Sequence, residues 1–210
     1  MAMITAVTLG VEDTAAAESF YSTLGVSDHV GVWASDEPTS GFRGYTLSLV
    51  VSQPDNVDAF VSTALDAGAT AIKPASKSFW GYGAVVQAPD GAIWTIASSS
   101  KKNTAPPSRE FDQLVLLLGV ADVKATKQFY VERGLAVGKS FGSKYVEFDT
   151  PASPINLALY GRRAAAKNAG VAPEGTGSSR LVVVGDLGAF TDPDGFVWES
   201  AAARDGSVTQ

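Results

Sequence analysis

The chain repeats itself, and this limits its fold more than any other feature. Leu9-Gly10-Val11 and Asp13 are followed by Phe20-Tyr21 and Gly25. At an offset of 109 positions stand Leu118-Gly119-Val120, Asp122, Phe129-Tyr130 and Gly134. Near the end of each half comes Pro-Asp-Gly-x-x-Trp, at Pro89-Asp90-Gly91 with Trp94 and at Pro193-Asp194-Gly195 with Trp198. Two separate matches in the same order make the chain a tandem of two related halves. Between them, residues 98–108 are small, polar and proline-rich, unable to bury a core, and read as a linker. The boundary near Pro106 divides the chain into residues 1–104 and 105–210, each the size of a small domain.

Both halves open alike. Ile4 to Val11 and Phe111 to Val120 are short, largely apolar runs suited to strands. Asp13 and Asp122 stand where a side chain can cap free amides at a helix start. Ala17, Phe20, Tyr21 and Leu24 then fall at helical spacing, and Gly25 can supply a left-handed stop; Ala125, Phe129 and Gly134 do the same in the second half. The Phe-Tyr pairs are expected to pack helix on sheet. A second unit begins inside the first half, with a strand from Tyr45 to Val51. An apolar helical face of Val57, Phe60, Val61, Ala64 and Leu65 ends at Gly68. Ile72, Gly83 to Gln87, an Asp90-Gly91 turn and Ile93 to Ala97 follow. Strand, helix, then several strands is an α+β order.

Bulk properties exclude several classes of function. Hydrophobic residues make up 45% and charged residues 18%, as in an ordinary globular protein. No apolar stretch is long enough to span a membrane, and the start Met1-Ala2-Met3-Ile4-Thr5 lacks the basic opening of a secretory signal. With no cysteine there is no disulfide, thiolate ligand or cysteine nucleophile, which fits the cytoplasm. A net charge of −6 lacks the footprint for binding phosphates. Neither nucleic acid nor a membrane is therefore expected as a partner, and acidity favours a cationic small molecule.

The stretch Gly68-Ala69 … Lys73-Pro74-Ala75 … Phe79-Trp80-Gly81-Tyr82-Gly83 … Ala88-Pro89-Asp90-Gly91-Ala92-Ile93-Trp94 resembles the C-terminal module of the vicinal-oxygen-chelate superfamily, which includes glyoxalases, bleomycin-resistance proteins and dioxygenases. Residues 191–199 are similar to the same module, and the openings 7–21 and 116–130 to its first strand and helix. The resemblance implies tandem βαβββ modules in curved mixed sheets, with helices on the outer face and a central ligand cavity. Two departures stand out. The first module, residues 4–44, is short by about one strand. The last lacks its helix, because only residues 185–188 separate Leu181–Val184 from Ala189-Phe190. The fuller modules, roughly 45–97 and 111–162, are expected to carry much of the architecture.

Metal-dependent members ligate through His, Gln or Glu on opening and closing strands, and three or four donors must converge. By resemblance those positions fall at Ala6, near Thr46 and at Thr95 in the first half, which offer no metal site. In the second half they fall at Gln113, about Arg180 and Glu199. Gln113 and Glu199 are weak metal candidates, with a cation where another donor should be. No cofactor is expected. The single histidine, His29 beside Asp28, lies in a polar turn-like stretch and is expected in an exposed loop. No nucleophile elbow, phosphate-cradling loop or dinucleotide fingerprint is present.

Binding is better supported. Trp33, Trp80 and Tyr82 offer ring faces for a planar or cationic ligand in the first half. Tyr145, Glu147 and Arg180 can place polar groups around a pocket in the second, and strand alternation puts Tyr145 and Glu147 on one side. Trp94 and Trp198, flanked by apolar strand residues, are expected in the core. The leading expectation is metal-independent binding of a small aromatic or cationic molecule. A lyase, isomerase or dioxygenase with a residual or metal-free site stays open, as does a non-catalytic dimerising module. A homodimer is compatible with the resemblance.

Overall fold

A computed structural model describes residues 3–201. The repeated openings become equivalent strand–helix units. Strand β1 (Ile4–Val11) leads to Asp13, whose side chain accepts the Ala16 N–H and starts helix α1 (Thr14–Leu24); Gly25, at φ 80, ends it. Strand β2 (Val30–Ala34) and the short β3 (Thr39–Gly41) follow. In the second half β8 (Gln113–Val120) leads to Asp122, which accepts from the Lys124 and Ala125 amides and starts α3 (Val123–Glu132).

Two complete βαβββ modules occupy the middle of the chain. The first is β4 (Tyr45–Val50), α2 (Pro54–Asp66), β5 (Thr70–Ser78), β6 (Gly81–Gln87) and β7 (Ile93–Ser98). The second is β8, α3, β9 (Ala136–Phe141), β10 (Tyr145–Asp149) and β11 (Ile155–Gly161). They join through antiparallel β4 and β8, with Leu47 opposite Leu116, into a sheet of order β5-β6-β7-β4-β8-β11-β10-β9. The terminal stretches supply a second sheet, β14-β15-β13-β1-β2, from β13 (Leu181–Gly185), β14 (Phe190–Thr191) and β15 (Val197–Ser200). Here β1 runs antiparallel to β13, with Val7 opposite Val183.

The sheets therefore do not divide at residue 104, since each takes strands from both sequence halves. The two ends of the 1–104 and 105–210 ranges, residues 1–2 and 202–210, lie outside the described residues. The departures from the full module have a physical form. Strand β3 leaves the first unit's sheet and pairs instead with β12 (Gly175–Gly177), while β13 passes to β14 through a short turn with no helix.

One continuous core joins the sheets: Leu47, Leu49, Leu114 and Leu116 from the larger pack with Val7, Leu9 and Val183 from the smaller. Full burial of such side chains contributes roughly 1.5–3 kcal/mol each. Trp94 and Trp198 are 0% and 1% exposed, as expected of core residues. The paired aromatics of α1 and α3 reach them, Tyr21 at 5.8 Å from Trp94 and Tyr130 at 5.5 Å from Trp198, between ring centroids.

Helix α4 (Arg162–Ala169) packs on the opposite, far face of the eight-stranded sheet. Its Ala165, Ala166 and Ala169 are buried with Val85, Ile93, Leu117 and Ala158 in a separate small core. Small side chains allow this close approach: a Cβ on Gly119 would stand 3.2 Å from the Ala165 Cβ. Lys73 Nζ donates to the Lys167 and Asn168 carbonyls at 3.0 and 2.7 Å, a cation at the negative end of the helix. This helix covers the middle of the face where the resemblance places a ligand cavity.

Candidate functional site

The far face of the five-stranded sheet is the more open one. In the β1/β2 register Gly10 lies opposite Trp33, and a Cβ on Gly10 would come within 2.8 Å of the indole. The missing side chain lets the ring lie across the strand. A cavity of about 980 Å³ opens here, between Trp33, Val182 and Val197 on the sheet side and Phe42, Arg162 and residues 173–179 on the other. Its size is in the range of small-molecule sites.

Charges line this cavity, and most donors of its cations are engaged, Arg43 Nη1 being buried with no hydrogen-bond partner among the described residues. Arg180 is 5% exposed and is the non-glycine residue with positive φ (50°) among the described residues. Its Nε donates to the Glu37 carbonyl at 2.9 Å, NH2 donates to the same oxygen, and NH1 stands 3.4 Å from Glu12 Oε1. Such a backbone conformation costs of order 1–3 kcal/mol and persists where surroundings hold it. Arg162 donates to the Pro173 carbonyl at 3.0 Å and the Phe42 carbonyl at 2.6 Å, its guanidinium 5.3 Å from the Phe42 ring centroid. Arg43 NH2 donates to the Asp90 carbonyl at 2.6 Å. Among the lining carboxylates, Asp194 accepts from the Ala121 amide and the Thr126 hydroxyl. The carboxylates of Asp36, Glu37 and Glu174 make no hydrogen bond or ion pair among the described residues. Four carboxylates thus face three guanidiniums whose donors point largely at fixed carbonyls.

The positions a metal would need do not converge. Across the eight-stranded sheet one row reads Thr95, Ser48, Val115 and Asn156. Across the five-stranded sheet another reads Ala6, Val184 and Glu199. Gln113, opposite Val50, and Glu199 stand in different sheets, and Arg180 is directed to Glu37 and Glu12. Among the described residues no group of three or more His, Cys, Asp or Glu could hold a metal ion. The residues present do not fit one.

The six ligand-binding candidates fall in three places. Trp33 and Arg180 share the large cavity. Trp80 and Tyr82 border a smaller one of about 350 Å³ on the far face of the eight-stranded sheet, with Lys73, Thr95 and Asn168. Trp80 is 82% exposed, and the Tyr82 hydroxyl donates to Asp58 Oδ1 at 2.8 Å, a bond that raises its pKa. Tyr145 and Glu147 lie together on β10, where the Tyr145 hydroxyl is 3.4 Å from Glu147 and Lys139 is 3.6 Å from the same carboxylate. Burial, helped by Glu147, pushes the Tyr145 hydroxyl up to about 12.

Sequence reasoning missed Asp36, Glu37, Arg43, Arg162 and Glu174. Its nearest signals were the Glu37-Pro38 and Pro173-Glu174 pairs, which mark irregular chain. His29 is half-buried in the turn between α1 and β2 and does not line the large cavity.

No family model matches the chain, and no curated protein matches it significantly. Solved structures do. Glyoxalase I from Zea mays matches with a TM-score of 0.62 at 13% identity, over 94% of this chain and 91% of that one. A mutant of the maize enzyme matches with a TM-score of 0.63 at 12% identity, over 99% and 97%. A candidate dioxygenase from Bacillus subtilis gives 0.52 at 14%, over 91% and 71%. The chain shares the fold of these glyoxalase and dioxygenase structures, the fold that the resemblance to the vicinal-oxygen-chelate superfamily implied.

Proposed function

We propose that this protein is a member of that superfamily which binds a small cationic, ring-containing molecule in the large cavity and does so without a divalent metal. The observation that carries this reading is the combination of the Trp33 ring face with the unpaired carboxylates of Asp36, Glu37 and Glu174 in one cavity of about 980 Å³. An indole attracts a cation over its face, and desolvation strengthens that attraction to about 2 kcal/mol or more. A carboxylate with no protein partner adds a Coulomb term that an anionic ligand would oppose. Arg180 and Arg162 oppose this preference little, because most of their donors bond backbone carbonyls and Glu12, which leaves Arg43 Nη1 as the buried donor without a partner among the described residues. They instead fix the walls that the ligand meets, which lowers the ordering cost of binding.

The reading is tested by calorimetric titration with three compounds of one ring system: 1-methylquinolinium, neutral quinoline and quinoline-2-carboxylate. The cation should bind tightest and the anion weakest. Trp33→Ala should weaken the cation by about tenfold, since 1.4 kcal/mol is a factor of ten. Glu174→Gln should narrow the gap between cation and neutral compound. A preference for the carboxylate, or affinity for the cation that survives both substitutions, would reject the assignment.

A further inference from the structure

The hairpin between β5 and β6 turns on Phe79 and Trp80, which are 83% and 82% exposed. Ser78 pairs with Gly81; its Oγ accepts the Trp80 N–H at 3.2 Å and donates to the Gly81 carbonyl at 3.4 Å. Gly81 has φ 144, and a Cβ there would collide with the Ser98 carbonyl oxygen. The course of the tip is thus fixed against the end of β7. The two rings pack edge to face, with centroids 5.0 Å apart and planes at 87°. They form a single apolar unit on a convex tip, where isolated exposed residues would need no explanation.

Lysines flank that unit in sequence and in the chain leaving the neighbouring strand. Lys77 precedes the tip in β5. Tyr82 pairs with Ser98, so the chain leaving β7 runs beside the hairpin into Lys101 and Lys102. Lys101 Nζ stands 5.8 Å from the Phe79 ring centroid. Lys77, Lys101 and Lys102 are exposed, and none forms an ion pair among the described residues. Two carboxylates, Asp58 and Asp55, also lie near Tyr82 at this end of β6, and Asp58 accepts the Tyr82 hydroxyl. Three exposed lysines in the segments beside two exposed rings run contrary to the chain's net charge of −6. Tryptophan and phenylalanine settle at the headgroup level of bilayers, and lysines add attraction to anionic lipid. A fluid bilayer accepts a convex tip without a matching pocket. No helix among the described residues is long and apolar enough to cross a membrane.

We infer that the Phe79-Trp80 tip, with Lys77, Lys101 and Lys102, docks the protein on an anionic phospholipid surface. This docking is independent of the ligand cavity, because none of these residues lines it. The test is co-sedimentation of the full chain with vesicles of phosphatidylcholine alone or mixed with phosphatidylserine. The mixed vesicles should capture the protein, and raised ionic strength should release it. Phe79→Ser combined with Trp80→Ser should lower partitioning by about tenfold or more while leaving the melting curve unchanged, as expected for exposed side chains. Lys101→Glu with Lys102→Glu should lower it without removing either ring. Brominated lipid should quench Trp80 in the bound state and leave the buried Trp94 and Trp198 unquenched. Absence of capture by the mixed vesicles at low ionic strength overturns the inference, as does equal capture of the double serine variant. Self-association abolished by the same double variant, without vesicle binding, would assign the tip to a second copy of the chain instead.

Discussion

Replacing Tyr130 with phenylalanine should cost far more than the same change at Tyr21, although the two tyrosines are equivalent in the repeat. The Tyr130 hydroxyl donates to Asp192 Oδ2 at 2.7 Å and accepts the Trp198 indole N–H at 3.0 Å. Tyr130, Trp198 and Asp192 are all buried. Phenylalanine leaves two buried groups unsatisfied, at roughly 1–3 kcal/mol each, so a loss of about 3 kcal/mol is expected. The Tyr21 hydroxyl donates at 2.6 Å to Asp90, which is half-buried and can take water in exchange, and the neighbouring Trp94 indole N–H already lies buried without a hydrogen-bond partner of good geometry; about 1 kcal/mol is expected there. For a chain of this size each kcal/mol lowers the Tm by roughly 2–4 °C.

Equilibrium urea unfolding of both variants, at several pH values, is the assay. Burial raises the Asp192 carboxyl above its ordinary 3.8, while the Tyr130 bond opposes that rise. A carboxyl raised on folding contributes stability that is full below 3.8 and lost as pH climbs through its folded value. Losing Tyr130 raises the folded value further. The Tyr130→Phe deficit should therefore be largest at neutral pH and shrink as pH falls. Equal losses for the two variants, or a deficit that widens in acid, would refute the buried relay.

Three further outcomes follow from burial and pairing. Trp94→Ala should lose about 3–5 kcal/mol in thermal melting, whereas Trp80→Ala should stay within about 0.5 kcal/mol of the parent, given exposures of 0% and 82%. Fragments 1–104 and 105–210 should be insoluble or poorly ordered alone, because β1 loses its partner β13 and β4 loses β8; two monomeric, cooperatively folded halves in a sedimentation and melting test would contradict this. Burial holds the Tyr45 hydroxyl at about 12, so its contribution to stability is full below pH 10 and lost between pH 10 and 12. Tyrosinate absorbance should then rise together with unfolding, and ionisation of Tyr45 near pH 10 in a folded chain would oppose it.

Much of the local structure was legible because it rests on short-range chemistry. The caps at Asp13 and Asp122, the left-handed stop at Gly25 and the burial of Trp94 and Trp198 depend on neighbours or on apolar strand context. Sheet partnership was not legible. The apolar run of β1 suits many partners, and nothing local to it marks β13, far along the chain, as the strand it pairs with. Helix α4 also escaped notice: its alanines carry little hydrophobic contrast, and it is held by close backbone approach at Gly119 and by Lys73 at its end. The site was legible in its rings but not in its acids. Trp33 and Arg180 stood out by residue type, whereas Asp36, Glu37 and Glu174 lie in irregular chain brought together by the β3–β12 pairing.

The most direct test of the binding account is a crystal structure of the protein with 1-methylquinolinium. The account predicts density for the ring against the Trp33 indole, its charged nitrogen nearer to Asp36, Glu37 or Glu174 than to any guanidinium, and no metal bridging ligand to protein. Ligand density beside Tyr82 on the eight-stranded sheet, or an empty large cavity at saturating compound, would contradict it.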